Sequence, residues 1–117
     1  MTAETPISSD LIRGHIETIV LGLLSGQDRY GYEICKQVGI LSDGEYELKE
    51  PTLYSAFRRM EAAGLISSYW GEESQGGRRK YYRIAPEGRG AYLRNLEDWK
   101  RARTLIDRLV SGESEKE

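Results

Sequence analysis

The apolar residues change their spacing twice along this chain, and those two changes fix the order of its elements. From Leu11 to Met60 they recur at helical intervals. "LISSYW" and "KYYRI" are then short, aromatic and mixed with polar residues, as exposed strands are. Helical spacing returns after Pro86 and runs to Val110. The predicted order is helix, helix, helix, two-stranded hairpin, long helix. A chain of 117 residues has room for one small domain with an added association element.

Ser9 and Asp10 are predicted to cap a first helix carrying Leu11, Ile12, Ile16, Ile19, Val20, Leu23 and Leu24 as a wide buried stripe. "SGQD" breaks it. A second helix starts near Tyr30, carries Ile34, Cys35 and Val38, and weakens at Gly39. "SDGEYEL" is a loop with an Asp-Gly turn signal. Glu50 and Pro51 mark a third helix, because proline suits a first turn where its missing N–H costs nothing. Leu53, Ala56, Phe57 and Met60 form its buried stripe, and Gly64 closes it.

Ile66, Trp70, Tyr82 and Ile84 are expected on the inner face of the hairpin, with Glu72 to Gly77 as its loop. Pro86 begins the last helix, softened by Gly88 and Gly90. Tyr92, Leu96, Trp99, Ile106 and Val110 follow a 4, 3, 7, 4 spacing, with Arg103 at the omitted position. Three short helices and a small sheet cannot cover that stripe, so the last helix is expected to pair with a second copy. The expected division is 9–85, 86–111 and a frayed tail at 112–117.

The net charge is -2, so the chain as a whole does not advertise a polyanion partner. Its distribution does: Arg78, Arg79, Lys80 and Arg83 lie together with no acid among them. Cys35 is the sole cysteine, which excludes an intrachain disulfide and a thiolate zinc cluster. No secretory pattern or membrane-length apolar window is present, and a cytoplasmic location is expected. No cofactor or metal is expected. His15 is the only histidine, no base–nucleophile pair is visible, and "SQGGRRK" lacks the spacing of a P-loop. The chain does not read as an enzyme.

Three helices followed by a hairpin make an α+β winged helix-turn-helix arrangement, in which one helix enters the major groove and the hairpin reaches the backbone. Pro51 to Ala63 is the candidate reader. Thr52, Ser55 and Arg59 share a polar face, flanked by Tyr54 and Arg58. The bland alternative is a solvated helix face. In the wing, alternation points Arg78 and Lys80 one way and Arg79 the other, unless Gly76 and Gly77 twist the backbone. Here the bland alternative is an edge strand protected by charge. Trp99 is a core or interface residue, or one of two facing rings that sandwich a flat molecule near a dimer axis. Ile12, His15 and Ile16 would complete that pocket, and Asp98 or Glu97 would favour a cation.

The ordered set "YGYEI", "PTLYSAFRRMEAAGLI" and "GGRRKYYRI" resembles the PadR family of transcriptional regulators, in particular its small multidrug-responsive repressors. The resemblance covers most of residues 11 to 110. It implies a homodimer on double-stranded operator DNA with inverted half-sites. It implies DNA contacts from Thr52, Tyr54, Ser55, Arg58, Arg59, Gly77, Arg78, Arg79 and Lys80, and places Trp99 where those repressors use a tryptophan in a central pore. A flat aromatic or cationic effector is the implied ligand. Ala85 departs from the family's usual threonine and removes a helix cap, and Glu50 is an acid where phosphate must approach. A winged-helix protein-interaction module, or a small-molecule-binding dimer without specific DNA recognition, are the competing functions.

Overall fold

The computed structural model describes residues 8–72 and 77–112. The elements are α1 (Ser9–Arg13), α2 (Ile16–Gly26), β1 (Arg29–Tyr30), α3 (Gly31–Leu41), α4 (Glu50–Ala62), β2 (Ile66–Trp70), β3 (Lys80–Ile84) and α5 (Pro86–Ser111). Positions 73–76 of the expected loop, and 113–117 of the expected tail, lie outside the described residues.

The predicted first helix is two helices. Gly14 ends α1, and the His15 N–H donates to the Ile12 carbonyl at 2.8 Å, closing a turn where helix would have continued. The cap of α1 is Ser8, whose hydroxyl accepts from the Asp10 N–H at 3.2 Å, and not Ser9 or Asp10. Asp10 instead pairs with Arg13 at 2.8 Å. The other helix boundaries follow the sequence expectation closely. The Tyr30 N–H donates to Glu33 at the start of α3. Gly64, at φ 77°, takes the left-handed conformation that turns the chain out of α4.

The sheet has three antiparallel strands in the order β1-β3-β2, one more than the hairpin expected. Ile66 pairs with Ile84, Ser68 with Tyr82 and Trp70 with Lys80. Ile66, Tyr82 and Ile84 are buried as expected, but Trp70 is 56% exposed. Its parity is that of the inner face; the hairpin simply extends past the edge of the core.

That core is built on α2. Val20, Leu21 and Leu24 are fully buried with Ile34, Leu53, Ala56, Phe57 and Met60. The Phe57 ring stacks on Tyr82 with centroids 3.6 Å apart, which ties α4 directly to β3. Gly88 lets the first turn of α5 lie against the Leu65 carbonyl; a Cβ there would also stand 2.8 Å from Ile84. Ala85 gives α5 no side-chain cap, and the helix starts on Pro86. Beyond Leu96, every described residue of α5 is exposed. Among the described residues no helix is long and apolar enough to cross a membrane.

Candidate nucleic-acid interface

The buried stripe of α4 leaves Thr52, Tyr54, Arg58 and Arg59 exposed and Ser55 half-buried. All but Arg58 divide between two grooves. On one side, Thr52, Ser55 and Arg59 line a shallow groove with Pro51, Ile16 and Arg13. Arg13 is an addition to the expected set, since nothing in its local spacing connects it to α4. Arg59 donates to the Ser55 hydroxyl at 3.1 Å and to Glu17 at 3.2 Å. Arg58 is exposed and makes no hydrogen bond or ion pair among the described residues.

On the other side, Tyr54 and Glu50 face the wing across a groove of about 370 Å³. Arg78, Arg79 and Lys80 all line it, with Trp70 and the α3 start at Tyr30, Gly31 and Tyr32. Strand alternation predicts divergent directions for these cations. They converge because Arg78 and Arg79 precede β3, beyond Gly77 at φ 90°. Each cation also has an aromatic support. Arg78 lies 5.6 Å from the Trp70 centroid, Arg79 4.8 Å from Tyr30, and Lys80 5.9 Å from Tyr82. The Gly71 N–H donates to the Arg79 carbonyl at 2.7 Å, tying the base of the wing together.

Tyr54 packs its hydroxyl directly over Gly31, where a Cβ would collide with it. Burial and the nearby Glu50 push that hydroxyl above the usual tyrosine range, so it stays protonated and able to donate. Tyr82 is buried and structural. Arg83 points to the opposite face, where it and the Tyr69 hydroxyl both donate to Asp28, at 3.3 and 2.6 Å. It is therefore not part of the wing groove.

The candidate ligand residues also separate. Ile12, His15 and Trp99 line an apolar groove of about 420 Å³ between α2 and α5, with Thr18, Ile19, Gly22, Leu23, Leu41, Tyr92 and Leu96. Asp98 belongs to an adjoining polar groove that shares His15 and Trp99. Ile16 is 5% exposed and packs in the core; it does not line the apolar groove, but borders the polar one with His15, Asp98 and Trp99. The apolar positions of α2 form two stripes, which sequence spacing merges into one. Ile16, Val20, Leu21 and Leu24 enter the core; Ile19 and Leu23 face α5.

Of the expected dimerisation residues, Tyr92 and Leu96 are half-buried, and Tyr92 packs on Gly22 of its own chain. Trp99, Ile106 and Val110 are exposed, as are Leu105 and Leu109, which widen the stripe. Burial, with Glu50 and Glu47 nearby, pushes the Cys35 thiol above its ordinary range and keeps it a poor nucleophile. No group of side chains suited to a metal ion occurs among the described residues.

A helical head, a groove-facing polar helix and a cationic hairpin beside it define the winged helix-turn-helix class of DNA-binding proteins. Residues 20–94 match the Transcriptional regulator PadR-like family. The chain belongs to that family, and is a DNA-binding transcriptional regulator, not an enzyme. It is similar to a transcriptional regulator from Clostridium thermocellum of known structure, with 51% identity, a TM-score of 0.82, and coverage of 89% of this chain and 98% of that one. An uncharacterised protein of Lysinibacillus sphaericus is 42% identical over 107 residues, 91% of this chain and 97% of its own. Bacillus subtilis PadR, solved in complex with operator DNA, shares the fold at 18% identity and a TM-score of 0.62, over 69% of this chain and 46% of that one.

Proposed function

We propose that the protein is a ligand-responsive repressor that binds operator DNA as a homodimer. The observation that carries the DNA reading is the convergence of Arg78, Arg79 and Lys80 on one groove beside α4. In this reading Thr52, Ser55, Arg58 and Arg59 face base edges and phosphates, while Tyr54 and the Gly77–Lys80 segment hold the flanking backbone. The exposed stripe of Trp99, Leu105, Ile106, Leu109 and Val110 supports association through α5, since so many apolar side chains on one helix are rarely left in water. Two copies together would present two α4 helices to inverted half-sites. Selection of bound fragments from genomic DNA across a salt series tests this. The expected result is enrichment of one inverted repeat; equal retention of unrelated fragments would leave only electrostatic attraction.

The effector reading rests on the apolar groove under Trp99. It is large enough for a flat aromatic molecule, and Asp98 beside it suits a cationic one. An effector changes DNA affinity only if it binds the DNA-competent and free forms unequally. Trp99→Ala is expected to lose binding of a planar cationic dye, read by fluorescence quenching, while keeping operator affinity. Unchanged dye affinity would remove Trp99 from the site.

A further inference from the structure

Among the described residues, Arg59 is the cation of α4 already engaged within the chain. Its Nε donates to Glu17 Oε2 at 3.2 Å, across 42 positions of sequence, and a terminal nitrogen donates to the Ser55 hydroxyl at 3.1 Å. Glu17 sits in the first turn of α2, where the helix N-terminus stabilises its carboxylate. Both partners remain accessible, at 60% and 40% side-chain exposure, so the pair can be opened from the DNA side. Neighbouring Arg58 has no such restraint.

A carboxylate, like a phosphodiester, presents anionic acceptor oxygens to a guanidinium, and Arg59 Nε already reaches one of them, Glu17 Oε2. We propose that Glu17 is a specificity-determining residue: it occupies Arg59 in place of a DNA phosphate and so withholds that cation from non-specific binding. A partner that satisfies the guanidinium better than Glu17 does, such as a guanine edge accepting two hydrogen bonds, releases it more readily than a phosphate does. An exposed pair is weak enough to be exchanged in this way and strong enough to bias the choice by a factor of about two to five. The inference rests on α4 being the DNA-facing helix.

The test measures binding of the full chain to a duplex of unrelated sequence over a range of salt. Glu17→Gln is expected to tighten binding about two- to five-fold. It is also expected to steepen the log–log salt slope by up to about 0.9 per protomer, as one additional neutralised phosphate would. Both changes are expected to vanish in an Arg59→Gln background. A tightening that persists without Arg59 means that Glu17 merely repels DNA, and overturns the inference; so does no tightening at all. Arg58→Gln reports separately on α4. If it weakens binding while Glu17→Gln gives no Arg59-dependent tightening, the inference alone fails. If Arg58→Gln has no effect, α4 does not face DNA and the inference falls with it. Thermal melting checks the fold, which these exposed substitutions leave intact.

Discussion

Replacing Arg78 and Arg79 together with glutamine is expected to weaken DNA binding by roughly 30-fold per protomer near 0.15 M salt, and to flatten the log–log salt slope by about 1.8. Both side chains are exposed and line the groove beside α4. Each phosphate contact releases about 0.9 of a counterion, so two missing contacts account for both numbers. Selectivity among sequences is expected to change little, because phosphate contacts position the protein without reading bases. Folding is expected to hold: the stacking of Arg78 on Trp70 and Arg79 on Tyr30 is at the surface, where each such contact contributes about 0.5–1 kcal/mol. Fluorescence anisotropy at several salt concentrations, beside a urea melt, separates the effects. An unchanged salt slope would remove these arginines from the interface.

Phe57→Ala is expected to cost about 3–5 kcal/mol of stability. The ring is 1% exposed, stacks on Tyr82 at 3.6 Å and meets Tyr54 edge-on at 5.6 Å. Small domains hold only about 5–15 kcal/mol in total, so this loss brings the chain close to unfolding. It acts on function through position as well. Phe57 fixes α4 against β3, and Tyr54 on α4 faces the cations that lead into β3. Phe57→Leu is expected to recover much of the stability, since it restores volume but not the stack. Urea denaturation measures both variants, and a loss below about 1 kcal/mol for alanine would show that the stack contributes little.

Much of this fold can be read from local spacing. Leu53, Phe57 and Met60 are buried as their helical period requires, and Pro51 and Gly64 bound α4 where their chemistry places them. The wing cations, the alternation of Ile66, Tyr82 and Ile84, and the unsatisfied stripe of α5 are equally legible, because each depends on neighbours within a few residues. β1 is not legible: two residues, Arg29 and Tyr30, carry no period, and they become a strand only because β3 offers them a partner. The break at Gly14 is hidden inside a continuous apolar pattern. The two stripes of α2 look like one until α5 lies along the second.

The order of the longer helices and the hairpin, the face of α4 that stays polar and the cations beside it were set by periods and turn residues in the chain itself. Which cations share a groove, and which one is held back, was decided by packing. Arg79, ahead of β3, joins Arg78 and Lys80 where Tyr30 lies beneath its guanidinium, and Arg59 is occupied because α2 brings Glu17 to it from 42 positions away. A period records only which side of its own element a residue occupies. Distances between elements follow from how their buried faces interlock, and no single segment contains that information.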